Sequence, residues 1–426
     1  MVKKPATKEH VQKPKTSKVT WLVFLATLVV ILISLTTVLF PSLVIRSTSQ
    51  FKDVALNPYE IGVWTYPLLV ANFILLAIGI LYFKNKLPVQ ITRSIKFIFN
   101  FEVSKKTAFI VVVIILAIYV TLSAGELALE ERWEDYTPVG KVSGYTVGKV
   151  SGYQAVKDRV AGWAFTDIIQ APTDPHFRYL LLKISLNVFG NIRVVPFLAS
   201  IALLVLTYYT TKEIAKKRFA GIISMVIVLQ STTFLSYDTS ATYDNFWILL
   251  YLFSLYTIFK KWTLSPISYA LSVFSKSLTV MFLPMTLFFI YKTNIPRQRK
   301  MRIAITYGII IVLGIAALIV FNTGKAGGFD TNDFWRGFTA LAVQLRFDGL
   351  ILIFILPLIV GLFIVSRRGM TYADSILVLL MGILLSAPFL QGFTDFTNQP
   401  YRFVPLVVFF AIGVGTILSK KTSEQV

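Results

Sequence analysis

The sequence predicts an all-α, polytopic integral membrane protein with about twelve membrane segments, two of them short. Three observations predict it. Of 426 residues, 55% are hydrophobic and only 15% charged, with mean hydropathy +0.70; soluble domains run near ~45–50% and ~25%. Apolar runs recur at or near the ~20 residues a helix needs to cross hydrocarbon. Charge alternates from loop to loop. An ordinary soluble enzyme and a disordered chain are both excluded. Cysteine is absent, so disulfides, thiol catalysis and Cys-ligated metal are excluded too.

The chain opens on a Lys- and Pro-rich tail, 1–19, expected to be disordered or to lie on anionic lipid. The first apolar run is too long for the core of a cleavable signal peptide. Clear spans follow at 20–45, 62–83, 107–125, 193–211, 219–236, 243–259, 303–321, 348–365, 371–388 and 403–418. Residues 264–291 are also apolar but are interrupted by Ser275-Lys276-Ser277. Twenty-eight residues are long for one span and short for two.

The positive-inside rule settles the count. Alternate segments carry 27 Lys/Arg and five Asp/Glu; the opposite segments carry 14 and 16. The basic side is therefore expected to be cytoplasmic, with both termini there, in a cell membrane. That parity holds only if 264–291 enters and leaves on one side, as a helical hairpin broken near Lys276. The net charge of +21 is then a topology signal, and no nucleic-acid partner is expected.

The outer loop 126–177 is long for a structureless connection. It begins GELALEERWEDY, with Glu126, Glu130, Glu131, Glu134 and Asp135, and ends with Asp167 and TDPHF. Between these lies VGKVSGY, repeated at 139–145 and 147–153; Val alternating with polar residues, and a Ser-Gly step, suit a short hairpin. Leu180, Leu181, Ile184 and Val188 recur at helical spacing over 177–190, a helix expected at the outer interface. Further acids and one or two cations come from 236–245, 329–337 and 393–402.

An outer-face carboxylate can act as a general base. A cation at membrane depth needs an anion beside it or must snorkel; a lipid phosphate is one candidate partner for Lys276 and a buried Asp is the other. These parts suit sugar transfer from a polyprenyl-phosphate donor, and equally a proton-coupled transporter. Phosphate-loop and dinucleotide signatures are missing, and two His exclude His-rich metal sites.

From about residue 105 onward the order of features resembles the C-type (GT-C) membrane glycosyltransferases, in the branch of protein O-mannosyltransferases and aminoarabinose transferases. The residues are Asp174-Pro175-His176-Phe177-Arg178-Tyr179-Leu180-Leu181-Leu182, Arg193-Val194-Val195-Pro196, Ala241-Thr242-Tyr243-Asp244, Ser275-Lys276, and Tyr401-Arg402-Phe403-Val404-Pro405. The resemblance implies a polyprenyl-phosphate-linked sugar donor and a protein, lipid or glycan acceptor. It implies an acidic pair serving the acceptor, best matched by Glu134 and Asp135, with Glu131 and Glu130 as competitors. It places Lys276 and Arg402 on the donor phosphate, with Arg193 and His176 as further donor-side candidates and Asp174 and Asp244 as secondary ones. Relatives work mostly without metal, so no cofactor is required; clustered carboxylates leave a divalent ion open. Asp244 has a second reading, as a cap on its helix N-terminus.

Against the family pattern, the acidic pair is Glu-Asp, the His-Pro-Pro step is rearranged, and two extra spans precede the first family-like one. The expected organisation is tail 1–19, a two-span unit 20–104, a catalytic domain 105–421 and a tail 422–426. The extra spans, 20–83, are a candidate dock for a membrane partner. A transporter or lipid flippase, and a non-catalytic subunit, are the alternative functions.

Overall fold

The computed structural model describes residues 17–41, 61–129, 131, 136–138, 141–142, 145–146, 149–170, 176–321, 328–346, 348–393 and 400–419. They are helical apart from short strand pairs. Among the described residues six helices are long and apolar enough to cross a membrane: Lys18–Leu39, Thr65–Tyr82, Lys105–Ala128, Val194–Ala215, Gly349–Arg367 and Thr371–Phe393. Further apolar helices are 10–17 residues long.

The order begins with α1 (Lys18–Leu39), α2 (Thr65–Phe83), α3 (Val89–Asn100) and α4 (Lys105–Ser123), the last continued by a 3-10 turn, Ala124–Ala128. Side chains of Ser17 and Ser104 cap α1 and α4 by accepting first-turn N–H groups. The outer loop then holds strands β1 (Tyr136–Pro138), β2 (Lys141–Val142), β3 (Tyr145–Thr146) and β4 (Lys149–Ser151). β1 pairs with β4 and β2 with β3 in one common register, so Val142 sits opposite Tyr145. The repeat therefore makes the short hairpin that its alternation suggests. After it come α5 (Gly152–Gly162), α6 (Phe165–Gln170) and α7 (His176–Phe189). Helix α7 buries Tyr179, Leu182 and Ser185 and turns Ile184 and Val188 outward.

The second half is α8 (Val194–Ala215), α9 (Arg218–Leu229), α10 (Thr232–Tyr237), α11 (Phe246–Lys260), α12 (Leu264–Ser275), a 3-10 turn Ser277–Phe282, α13 (Leu283–Lys292), α14 (Arg297–Phe321), α15 (Thr331–Leu345), α16 (Gly349–Arg367), α17 (Thr371–Phe393), a 3-10 turn Pro400–Phe403, and α18 (Val404–Ile417). The expected span 219–236 is divided. Ser231 ends α9 and caps α10, accepting from Phe234 N at 3.0 Å, while its hydroxyl donates to Asp348 at 2.7 Å. Helices α3 and α15 lie in segments that read as loops.

Side-chain pairs mark two ends of the bundle. At one, Asp374 accepts from Thr20 (2.9 Å), Lys292 (2.6 Å) and Ser366, and Glu213 accepts from Lys260 (3.0 Å). Lys260 closes α11, so α12 starts at this end; Lys292 closes α13, which returns to it. Residues 264–292 thus form a hairpin with both feet on the basic end. Within it, Tyr269 Oη donates to the Thr279 carbonyl (3.0 Å). Helix α1 packs on α15, α16 and α17, and α2 on α16, so the first two spans share one core with the C-terminal helices. The outer sides of α2 and α4, with Leu69, Val70 and Phe73 on α2 and Phe109, Ile110 and Val113 on α4, stay exposed. Such continuous apolar surface belongs against hydrocarbon rather than water.

Candidate functional site

The hairpin delivers Lys276 to the other end. It follows α12 in extended conformation, φ −159° and ψ 116°. Its Nζ lies 3.8 Å from the Tyr401 ring centroid and 5.4 Å from that of Trp247, within cation–π range. Tyr401 stacks on Tyr243 at 4.3 Å, and Tyr237 meets both rings edge-on, at 5.6 and 5.9 Å. Arg402, next in the chain, has its guanidinium carbon 5.8 Å from the same Tyr401 ring. Its Nε donates to Tyr401 Oη at 3.4 Å, and its buried Nη1 has no partner among the described residues. Among those residues neither Lys276 nor Arg402 makes an ion pair. Two cations 126 residues apart in the chain, Lys276 and Arg402, thus meet at one aromatic wall.

Asp244 stands beside this cluster but is engaged. Arg178 Nε reaches its Oδ2 at 2.5 Å, and Arg178 Nη2 donates to the carbonyls of Ala241 (2.9 Å) and Thr242 (2.6 Å). Its Oδ1 accepts from Phe246 N, the first residue of α11, at 3.2 Å. Asp244 thus bonds the first N–H of α11 from one residue ahead of the N-cap, Asn245.

A cavity of about 290 Å³ lies at the same end, lined by Glu126, Glu131, Arg193, Gln230, Thr239 and Ser240 among others. Glu131 is 6% exposed; it accepts from Ser240 Oγ (3.1 Å) and from the amides of Ala241 and Thr242. Arg193, 4% exposed, donates Nε to the Thr239 carbonyl (2.9 Å), Nη2 to Thr239 Oγ1 (2.7 Å) and Nη1 to the carbonyls of Glu126 and Leu129. Both groups tie the acidic loop to the 239–242 turn, and most of their bonding capacity is spent there. Behind them Asp238 is buried. Its Oδ2 accepts from Ser123 Oγ at 2.9 Å, and its carbonyl from Ser200 Oγ at 2.7 Å. Burial, reinforced by the charge of Glu126, pushes its carboxyl up to about 6.

His176 Nδ1 lies 2.6 Å from the Ile168 carbonyl, which joins α7 to α6. The expected base pair, Glu134 and Asp135, and the candidates Glu130 and Asp174 lie outside the described residues. Among the described residues no group of three or more His, Cys, Asp or Glu side chains gathers as a metal site. Tyr401, Tyr243, Trp247, Arg178 and Asp238 are site-forming residues that sequence reasoning did not single out as such. Arg178, Tyr243 and Tyr401 stand inside the quoted motifs without a role of their own, Asp238 in a polar outer segment and Trp247 in an apolar span, and their convergence depends on packing. Compared with family models, curated proteins and solved structures, the chain gives no match.

Proposed function

We propose that the chain transfers a sugar from a polyprenyl-phosphate donor to a protein, lipid or glycan acceptor at the extracytoplasmic end of a GT-C-like bundle of about twelve membrane segments. Both termini are then cytoplasmic. The observation that carries this reading is the pairing of Lys276 and Arg402 around Tyr401, without a carboxylate partner among the described residues. Two cations that make no ion pair among the described residues, beside an apolar bundle, call for an anion with an apolar tail. A lipid phosphate satisfies both demands.

In the proposed reaction the acceptor oxygen or nitrogen loses its proton to Glu134 or Asp135. It bonds to the anomeric carbon as the bond from that carbon to the phosphate oxygen breaks. The lipid phosphate departs as an anion, stabilised by Lys276 and Arg402. One displacement inverts the anomeric centre. Glu131 and Arg193 are assigned to holding the acidic loop, because their polar atoms are already committed.

The test uses the purified chain in lipid nanodiscs with polyprenyl-phosphate sugars and candidate acceptors. Transfer is expected, with Lys276→Met weakening donor binding and Glu134→Gln with Asp135→Asn abolishing turnover. Failure of every donor, or full turnover by the double variant, sinks the mechanism. Substrate uptake into proteoliposomes without any transfer would instead favour a transporter.

A further inference from the structure

Helix α3, Val89–Asn100, is amphipathic yet buries none of its residues in the protein. Ile91, Ile95 and Ile98 fall on one side at i, i+4 and i+7, with Phe99 beside them; Arg93, Lys96 and Asn100 fall on the other. Ile91 is 45% exposed and Ile98 47%. A 12-residue helix of this kind is marginal in water by itself, so something must cover its apolar side.

Its place in the chain limits what that is. The helix is strung between α2 and α4, two of the helices apolar enough to span a membrane, and so is held at the membrane surface. Its far end is pinned there. Lys217 Nζ donates to the Phe99 carbonyl at 2.8 Å, Phe101 meets Phe219 edge-on at 4.9 Å, and Glu102 accepts from Arg218 N at 3.1 Å. The charge around it has one sign. Residues 84–106 hold Lys84, Lys86, Arg93, Lys96, Lys105 and Lys106 against Glu102 alone, and Glu102 is paired with Arg218.

We propose that α3 lies in the plane of the leaflet at the basic end and binds anionic phospholipid. The side with Ile91, Ile95 and Ile98 enters the acyl region. Arg93 and Lys96 stay within a Debye length of the headgroups, and the lysines at the ends of α2 and α4 snorkel to the phosphates. This is the arrangement by which interfacial helices combine apolar burial with attraction to a negative surface. Through Lys217 and Arg218 it also anchors the turn between α8 and α9 to lipid.

The absence of cysteine makes the test direct. Full-length Ile98→Cys and Arg93→Cys chains, each carrying an environment-sensitive fluorophore, are reconstituted into vesicles of phosphatidylcholine with phosphatidylglycerol. The probe at 98 is expected to be quenched by nitroxide-bearing lipid and the probe at 93 by aqueous iodide. Equal iodide quenching at both positions overturns the proposal and leaves the apolar side to a protein partner. The charge is tested by enrichment of labelled phosphatidylglycerol around the chain. Arg93→Gln and Lys96→Gln are each expected to weaken it about fivefold. Unchanged enrichment in the double variant overturns the anionic specificity.

Discussion

Asp238 shows how one buried side chain links fold to solution conditions. It is 1% exposed, and the hydroxyls of Tyr119 and Ser123 beside it offset too little of the loss of water around a carboxylate. Its folded-state pKa, about 6, lies above the ordinary 3.8. The folded chain therefore holds this proton more tightly than the unfolded one. Its stabilising contribution is fully present below about pH 4 and is lost as pH rises through about 6. Asp238→Asn removes that dependence. The stability of the variant minus that of wild type is expected to grow across this window, by up to about 3 kcal/mol. Thermal unfolding in detergent at several pH values measures it. Parallel curves for the two proteins would show that Asp238 ionises freely. Asp244, by contrast, is paired with Arg178 and accepts from the Phe246 amide.

Among the elements, α15 was hidden in a segment that reads as a short loop. It packs along α17 through Gly337, where an added Cβ would lie 2.4 Å from Pro388 Cα. No flexible side chain is present there to yield, since the obstacle is backbone. Gly337→Val is expected to cost about 1–3 kcal/mol and to lift α15 away from α17. Hydrogen exchange over 331–345 should then rise against an unchanged α9; equal protection in both proteins would mean that α15 is held elsewhere. The hairpin α12–α13 was legible for the opposite reason. A lysine inside an apolar run and the sign of every later loop left it only one arrangement. The break between α9 and α10 was not legible, because the partner of Ser231 is Asp348, 117 residues away.

For the whole molecule, the decisive question is on which side of the membrane each turn lies. If the hairpin returns to its starting end, Thr263 and Asn294 share a side and Asn332 lies on the other. All three are exposed, and the cysteine-free chain allows single substitutions. A membrane-impermeant maleimide is expected to label Thr263→Cys and Asn294→Cys from the same side of sealed vesicles, and Asn332→Cys from the opposite one. Labelling of 263 and 294 from opposite sides would make 264–292 a single span and invert every later segment. The extra N-terminal pair also belongs to this scale. Asp374 joins α1, α13, α16 and α17 through Thr20, Lys292 and Ser366, so the first span is built into the bundle at its basic end.

By itself the sequence determined the class of the molecule, most of its helices, the alternation of its charged ends and the one cation inside an apolar run. These follow from local composition and from the cost of placing charge in hydrocarbon, both readable along the chain. It also marked Lys276, Arg402 and the acidic outer loop as the residues of interest. Only the tertiary structure decided that Lys276 and Arg402 meet around Tyr401, that Arg193 and Glu131 spend their polar atoms on backbone and hydroxyl groups, and that Asp244 pairs with Arg178. Such assignments depend on which distant partner satisfies each polar atom. The spacing of residues along a chain carries no record of that pairing.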